Sequence, residues 1–290
     1  MDKRVLVTGA SGLIGRELCK QLSIDNYVVA VDNGFRYDHI PHCDEFINSD
    51  VTAFLEKEQS NYDYIFHMGN INGTKYFYDI PNELIQSNIE TDFAVFNFVE
   101  QNPNCKLIYG SSSEIVAGTD IFPTPEQTDI TINDIHNPRW SYRLGKIVGE
   151  NYLVNSSIDY LIIRFFNVFG PASGSGHFVR DILDKIAQED YTLIGADETR
   201  SFCRVEDAVD AITSICAIAS RDIVNVGSNE EITVLDAAEI IAEHSGVTPN
   251  WKFAPGNSGS VARRKPDISQ LLKYYPSFSP RKFKDAVKDL

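Results

Sequence analysis

Basic residues are scarce in this sequence. Its 290 residues include 26 Lys and Arg against 41 Asp and Glu, which gives a formal net charge of −15. Binding to a nucleic-acid backbone or to an anionic membrane surface requires clustered cations. The composition therefore argues against both partners, and any anionic ligand must be held by a few local arginines or lysines.

Paired cysteines and long apolar runs are also missing. The five cysteines are scattered without a C-x-x-C pair, which favours reduced, buried thiols over disulfides or a zinc site. No apolar run approaches the length that crosses a membrane, and the first apolar run begins within four residues of the start. We therefore expect a cytoplasmic protein with no metal, no membrane segment and no secretory signal.

The apolar residues and their pattern predict the fold. A chain of this length with 43% hydrophobic residues can bury a full-sized core. Strand-type runs alternate with segments at helical spacing as far as residue 170, which is typical of a Rossmann-type, doubly wound parallel sheet of the α/β class. Shorter mixed elements follow. We expect a nucleotide-binding domain over residues 1–170, to which some later segments return, and a smaller mixed α/β substrate lobe over 171–290.

Three glycines separate the first apolar run from a segment at helical spacing. Gly9, Gly12 and Gly15 stand at this turn, where free N–H groups and the helix dipole can hold a pyrophosphate. The next apolar run ends in Asp32, where a dinucleotide fold needs an acceptor for the adenosine ribose hydroxyls. The combination predicts a dinucleotide site. Asp50, at the end of the following run, either reaches the adenine or caps a helix.

Tyr142 and Lys146 stand four residues apart in a predicted helix, so both side chains lie on one face. A free phenol ionises at about pH 10, and a neighbouring ammonium favours the phenolate, which suits a tyrosine general base. Ser112 follows the preceding predicted strand and would face this helix across the cleft, where its hydroxyl can hydrogen-bond a developing carbonyl. These three residues form the predicted catalytic group.

Together these patterns resemble the nucleotide-sugar epimerase/dehydratase family of the extended short-chain dehydrogenases/reductases, and the likeness covers nearly the whole chain. In the N-terminal part it rests on Thr8-Gly9-Ala10-Ser11-Gly12-Leu13-Ile14-Gly15, Val31-Asp32-Asn33, His67-Met68-Gly69-Asn70, Asn88, Ser111-Ser112-Ser113-Glu114, Tyr142-Arg143-Leu144-Gly145-Lys146 and Arg164-Phe165-Phe166-Asn167-Val168-Phe169-Gly170-Pro171. In the C-terminal part it rests on Leu193-Ile194-Gly195, Thr199-Arg200-Ser201-Phe202 and Arg263-Arg264-Lys265-Pro266-Asp267-Ile268-Ser269.

The resemblance implies NAD as the cofactor, a nucleotide-diphosphate sugar as the substrate and a homodimer. The implied NAD contacts are Gly9, Gly12, Leu13, Ile14, Gly15, Asp32, Asn33, Asp50, Val51, Met68, Gly69, Asn88, Tyr142 and Lys146. The implied substrate contacts are Glu114, Asn167, His177, Phe178, Thr192, Ile194, Arg200 and Arg263, with the two arginines on the diphosphate. Long predicted helices starting near Pro81 and Trp140 resemble those that pair in a four-helix bundle between two subunits.

The resemblance also implies oxidation of the sugar at C4. Tyr142 would remove the hydroxyl proton, Ser112 would stabilise the carbonyl, and Lys146 would tune the tyrosine. We expect a nucleotide-sugar 4-epimerase, with a nucleotide-sugar decarboxylase and a C4 dehydrogenase or 4-keto reductase as alternatives. A non-catalytic NAD-sensing relative is an alternative of another class, although such proteins tend to lose the tyrosine or the lysine.

Two departures from the family pattern concern the serine cluster. The family has a tyrosine before the glycine that follows the cluster, where this chain has Val116-Ala117-Gly118. A shifted register would make Ser113 the catalytic hydroxyl, but alignment on Tyr109 and Glu114 selects Ser112. The 4,6-dehydratases carry an acidic residue where this chain has Ser113, so dehydration is disfavoured.

Overall fold

The computed structural model describes residues 3–35, 39–132, 134–174, 176–256 and 259–290. The strands are β1 (Lys3–Thr8), β2 (Asn26–Asp32), β3 (Glu45–Asn48), β4 (Tyr64–His67), β5 (Lys106–Ser112), β6 (Asp159–Phe165), β7 (Val168–Phe169), β8 (Thr192–Ile194), β9 (Thr199–Arg200), β10 (Cys203–Arg204), β11 (Asp222–Val226), β12 (Ile232–Thr233), β13 (Lys252–Ala254) and β14 (Arg263–Arg264). The helices are α1 (Leu13–Leu22), α2 (Val51–Leu55), α3 (Thr74–Asp79), α4 (Pro81–Glu100), α5 (Trp140–Asn155), α6 (Phe178–Ala187), α7 (Val205–Ile215), α8 (Val234–His244), α9 (Ser269–Tyr274) and α10 (Phe283–Ala286).

The main sheet confirms the predicted doubly wound architecture. Its order is β11-β6-β5-β4-β1-β2-β3, and every neighbouring pair is parallel. One apolar core joins the sheet to α1 and α7, and another joins its opposite face to α2, α4 and α5. Since all the strands run the same way, the carboxyl ends of β1, β2, β4, β5 and β6 share one edge, where α/β folds place their ligands.

The C-terminal part is built from short elements around a third core. Helices α6, α8 and α10 bury apolar side chains against Phe169 and Phe202. Small sheets join β7 to β10, β8 to β13, and β9 to β12 and β14. Strand β11 returns to the main sheet beside β6, so the chain crosses between the two parts more than once. The predicted division at residue 170 stays a prediction.

The long helices expected to start near Pro81 and Trp140 are confirmed as α4 and α5. None of the helices in the described part of the chain combines the length and the apolar character needed for a membrane span.

A buried ion pair locks α5 against the main sheet. Arg164 on β6 donates two hydrogen bonds to Glu150 on α5, at 3.0 and 2.7 Å, and a third to the carbonyl of Glu126 at 2.6 Å. Ser111 donates to the same carboxylate at 2.5 Å. All four residues are buried. The pair therefore fixes the position of α5 relative to the end of β5, where Ser112 lies.

Replacing one partner of this pair should lower stability strongly. Arg164→Met leaves the Glu150 carboxylate buried without its counter-ion, and we expect the free energy of unfolding in urea to fall by about 3–5 kcal/mol. Arg281→Met is the matched control, because Arg281 pairs with Asp207 at 2.8 Å near the surface. That change should cost less than about 1 kcal/mol. Equal losses in the two variants would contradict the assignment.

Candidate active site

A cavity of about 910 Å³ opens at the carboxyl edge of the main sheet, between the sheet and the C-terminal segments. Most of the residues that the sequence predicts for a site line this cavity. They are Gly9, Gly12, Leu13, Ile14, Gly15, Asp32, Asn33, Asp50, Val51, Met68, Gly69, Ser112, Glu114, Tyr142, Lys146, Asn167, His177, Phe178, Ile194 and Arg200. The fold thus brings together residues that lie almost 200 positions apart in the chain.

The glycine turn leaves no room for side chains. A Cβ on Gly9 would lie 2.5 Å from the Met68 carbonyl oxygen, and Gly9 has a φ of +68°, which favours glycine. A Cβ on Gly15 would lie 2.1 Å from the Gly9 carbonyl oxygen. Helix α1 begins at Leu13, directly inside this turn. The backbone is therefore bare where the cavity meets the start of a helix, which fits the diphosphate of a dinucleotide.

Two carboxylates mark the same end of the cavity. Asp32, at the end of β2, accepts hydrogen bonds from the N–H groups of Ser11 at 3.0 Å and Gly34 at 2.8 Å. These bonds fix its orientation beside the glycine turn. Asp50 caps α2 by accepting from the Thr52 N–H at 2.8 Å and also lines the cavity. The capping alternative for Asp50 is thus observed, and its contact with adenine stays a prediction.

Tyr142 and Lys146 lie one turn apart on α5, and both side chains are almost fully buried. The Tyr142 ring stacks on Phe77 with centroids 4.9 Å apart and planes inclined by 19°. The Lys146 ammonium donates to the Asn70 side-chain oxygen and to the Gly110 carbonyl, the latter at 2.6 Å. The stacking contact and these two hydrogen bonds therefore fix the positions of the predicted base and of the neighbouring cation.

The serine cluster forms the end of β5 and the turn that follows. Ser112 accepts a hydrogen bond from the Glu114 N–H at 3.2 Å and so caps the short 3-10 helix Ser113–Val116. Both Ser112 and Ser113 line the cavity. The choice of Ser112 as the catalytic hydroxyl therefore stays a prediction.

Glu114 is clamped by two arginines that the sequence reasoning missed. Arg139 donates to its two oxygens at 3.0 and 2.5 Å, and Arg264 donates at 2.7 Å. Burial alone would raise the pKa of this carboxyl, but the charges of Arg264 and Arg139 hold that pKa well below its usual range. All three side chains line the cavity. One carboxylate against two guanidinium groups leaves an excess positive charge beside Ser112.

The cavity contains a third arginine near this cluster. Arg200 donates to Glu198 at 2.5 Å, to the Thr199 carbonyl at 2.7 Å and to Ser260 at 3.0 Å. Burial and the nearby charge of Arg264 lower the pKa of Arg200 to about 10. The two guanidinium groups therefore repel each other, and both line the cavity.

The structure places Arg263 outside the cavity. Its guanidinium donates to Glu231 at 2.6 and 2.8 Å and lies 4.7 Å from the centre of the Phe122 ring. Neighbours in a strand point to opposite sides, so β14 turns Arg264 inward where Arg263 turns outward. The family motif contains both arginines. The resemblance assigned the substrate contact to Arg263, whereas the arginine that lines the cavity is its neighbour Arg264.

Two further predicted contacts do not reach the cavity wall. Asn88 exchanges hydrogen bonds with the backbone of Ile71, at 2.7 and 3.0 Å, and so secures the loop above it. Thr192 presents its carbonyl to the Lys185 ammonium. Among the described residues, the cavity is lined near these positions by the neighbours Ile71 and Leu193. Asn88 thus supports the wall and does not form it.

Comparison with known proteins agrees with this geometry. The family model described as the NAD-dependent epimerase/dehydratase family matches residues 5–227. The chain belongs to this family. It is therefore an NAD-dependent enzyme, and the bare glycine turn beside Asp32 fits that cofactor. In the bound state Gly9, Gly15 and Asp32 would hold its adenosine diphosphate half.

Individual relatives span nearly the whole chain. The UDP-N-acetyl-alpha-D-glucosaminuronate decarboxylase of Bacillus cytotoxicus is 28% identical over 96% of this chain and 94% of its own. The UDP-glucuronic acid decarboxylase 1 of Danio rerio is 29% identical over 94% of this chain and 69% of its own. The solved structure of the UDP-N-acetylglucosamine 4-epimerase of Methanobrevibacter ruminantium is 26% identical, with a TM-score of 0.88, over 99% of this chain and 96% of that one.

Cofactor preference should depend on Asp32. A carboxylate accepts from the two ribose hydroxyls of NAD and repels the 2′-phosphate of NADP, so NAD should bind better. Asp32→Ala should narrow the difference between the two dissociation constants, measured by titrating cofactor-free protein. Asp25→Ala, just before β2 at the far edge of the sheet, serves as the control and should leave the ratio unchanged. A wild-type preference for NADP would refute the assignment.

Proposed function

We propose that this enzyme oxidises a nucleotide-activated sugar at C4 and that its overall reaction is epimerisation at that carbon. The observation that carries the proposal is the sharing of one cavity by Ser112, Tyr142 and Lys146 and by the glycine turn. The 4-epimerase similarity at 26% identity over the whole chain supports it. Epimerisation at C4 needs no further acid or base beyond this group of residues.

The first step follows from the positions of three side chains. Tyr142 accepts the proton of the C4 hydroxyl, because the Lys146 ammonium one turn away favours the phenolate. The Ser112 hydroxyl donates a hydrogen bond to the oxygen as it becomes a carbonyl. Bound NAD supplies the hydride acceptor. Epimerisation then requires only that the keto sugar turns over before it is reduced again, so it makes few demands on side chains.

The arginines support a diphosphate as part of the substrate. Arg200 and Arg264 lie close enough for their charges to repel, and both face the cavity. A dianionic diphosphate would relieve this repulsion and accept charge-assisted hydrogen bonds. In a chain with a net charge of −15, such a cluster in the wall of one cavity favours an anionic ligand.

Decarboxylation is the second candidate, and the clamp around Glu114 favours it. Arg139 and Arg264 carry two positive charges against one carboxylate at the end of β5. A substrate with a carboxylate at C6 would find a counter-charge there. Once C4 is a ketone, this group is the carboxylate of a β-keto acid. Its C5–C6 bond breaks to release carbon dioxide, the electron pair passes to the C4 oxygen as an enolate, and C5 then takes up a proton from water. Two sequence relatives are nucleotide-sugar decarboxylases, which agrees with this candidate.

Product mass decides between the two reactions. Incubation with UDP-sugars, with and without a C6 carboxylate, should give a product of unchanged mass for epimerisation and one lighter by carbon dioxide for decarboxylation. Loss of two hydrogens with accumulation of NADH would indicate a C4 dehydrogenase, and loss of water would show that Ser113 was misread. Absence of turnover in a protein that binds NAD would favour the sensing alternative and overturn the proposal.

Substitutions at the catalytic group provide the control for that experiment. Tyr142→Phe keeps the ring and its stacking on Phe77 but removes the titrating group, so turnover should fall by roughly a hundredfold or more. NAD binding should persist. Ser112→Ala should cost a comparable factor, and Ser113→Ala much less. Loss at Ser113 alone would reverse the assignment of the two serines.

Adjacent arginines offer a matched pair for testing the substrate site. Arg264→Ala removes a guanidinium from the cavity wall, and we expect the KM for the nucleotide sugar to rise by roughly tenfold or more. Arg263→Ala removes an exposed guanidinium next to it and should change KM by less than about twofold. The dissociation constant of NAD should stay the same in both. A larger effect at Arg263 would contradict the orientation of β14.

A homodimer through α4 and α5 is also proposed. Helix α4 carries a half-buried apolar row, Ile85, Ile89 and Phe93, at i, i+4 and i+8, and Val148 on α5 is exposed. Val148→Asp should shift the sedimentation coefficient toward that of a monomer. Ile218→Asp alters an exposed apolar side chain after α7, on the opposite face of the sheet, and should not. A monomeric wild-type protein would contradict the proposal.

A further inference from the structure

At the floor of the cavity, the hydrogen bonds that Lys146 makes to described residues all go to uncharged oxygens. Its ammonium donates to the Asn70 side-chain oxygen, to the Gly110 carbonyl at 2.6 Å and to the Tyr109 hydroxyl at 3.4 Å. Lys146 is 3% exposed. A buried ammonium needs a counter-charge. None of its three hydrogen-bond partners supplies one.

The counter-charge lies one residue further away. Asp92 on α4 is 2% exposed and accepts from the Asn70 amide at 2.9 Å, from the Tyr109 hydroxyl at 2.6 Å and from His67 at 2.9 Å. Burial alone would raise the pKa of Asp92, but the charge of Lys146 and the bond from His67 lower it, so the group is a carboxylate. Asp92 therefore bonds to both side chains that touch the ammonium.

A carboxylate can only accept, and this fixes the direction of every bond in the chain of contacts. Because Asn70 gives its amide hydrogens to Asp92, its oxygen must face Lys146. Because Tyr109 gives its hydrogen to Asp92, its oxygen lone pairs are free for Lys146. Asp92 thus makes both neighbours present acceptors to the ammonium.

We infer that Asp92 is a positioning residue for Lys146, which acts through Asn70 and Tyr109 to hold the ammonium beside Tyr142. The inference rests on the proposed function, in which Lys146 tunes the base. Asp92 itself touches neither the cavity nor, in this proposal, the substrate. Its role is to keep the catalytic cation charged and aimed.

The packing of α5 leaves the space that this arrangement needs. A Cβ on Gly149 would lie 2.3 Å from the Tyr109 hydroxyl and 3.0 Å from an oxygen of Asp92. Any larger residue there would displace both groups. The glycine one turn after the lysine therefore permits the carboxylate network to reach the helix.

Several titratable groups surround the Lys146 ammonium. From the elements packed around it, these are Asp92 on α4, His67 on β4, Tyr109 on β5, and Tyr142 and Glu150 on α5. Burial lowers the pKa of Lys146, whereas the charges of Asp92 and Glu150 raise it. Glu150 is already paired with Arg164. Loss of the Asp92 charge should therefore allow the ammonium to lose its proton at lower pH.

The test follows the titration of Lys146 directly. In protein labelled with ¹⁵N-lysine, the Lys146 side-chain signal is assigned by its absence in Lys146→Met, and its midpoint is measured by NMR as the pH is raised. Asp92→Asn should move this midpoint to lower pH by about one unit or more. Adding Asn70→Asp returns a carboxylate to a direct neighbour of the ammonium, so the double variant should recover most of the shift.

Activity and stability separate positioning from a structural role. With a substrate in hand, Asp92→Asn should lower kcat by about tenfold or more and leave KM nearly unchanged. Lys106→Met is the stability control, since Lys106 is buried at the opposite end of β5, where it donates to the Ala219 carbonyl. It should lower the melting temperature without moving the Lys146 midpoint.

Two outcomes would overturn the inference. One is an unchanged Lys146 midpoint in a folded Asp92→Asn protein, and the other is an equal shift in Lys106→Met. Should Asp92→Asn not fold, the double variant of Asn70→Ala and Tyr109→Phe removes both links between the carboxylate and the ammonium, and an unchanged Lys146 midpoint there would overturn the inference. Because the NMR titration needs no substrate, its result stands even if the proposed sugar chemistry is wrong.

Discussion

Helix α5 presents three polar side chains, one turn apart, to the sheet on which it packs. Tyr142 faces the cavity, Lys146 reaches the floor beneath it, and Glu150 pairs with Arg164 inside the protein. Burying such groups is costly unless each finds a partner. The fold provides partners for Lys146 and Glu150 at the ends of β4, β5 and β6, so the position of the predicted base depends on the same contacts that hold the helix in place.

Some of the chain's many acidic residues pair with the arginines around the cavity. Among the described residues, each arginine that lines it is already paired with a carboxylate, Arg139 and Arg264 with Glu114 and Arg200 with Glu198. Pairing fixes a long side chain in one geometry before the ligand arrives, which reduces the entropy lost on binding. The acidic residues thus orient the few cations that an anionic substrate requires.

Patterns local in sequence could be predicted, whereas contacts between distant segments could not. The glycine turn, α4 and the shared face of Tyr142 and Lys146 follow from spacing alone. The orientation of Arg264 depends on the register of the two-residue strand β14 against β9, to which no periodicity applies. The clamp on Glu114 joins residues 150 positions apart, which no local pattern can predict. In the sequence, Asp92 is one polar position in an amphipathic helix and gives no sign of its buried contacts.

The residues of the predicted site come partly from a rigid helix and partly from irregular segments. The predicted base Tyr142 and its cation Lys146 lie on α5, which is tied to the sheet by buried hydrogen bonds. The charged groups of the Glu114 clamp come from segment ends: Glu114 from the turn after β5, Arg139 from the residue before α5, and Arg264 from β14. Changes in such segments disturb a core less than changes in a buried helix. In the proposed function, oxidation at C4 can therefore stay constant while the fate of the keto sugar changes, because the charges proposed to meet a C6 carboxylate lie outside α5 and the main sheet.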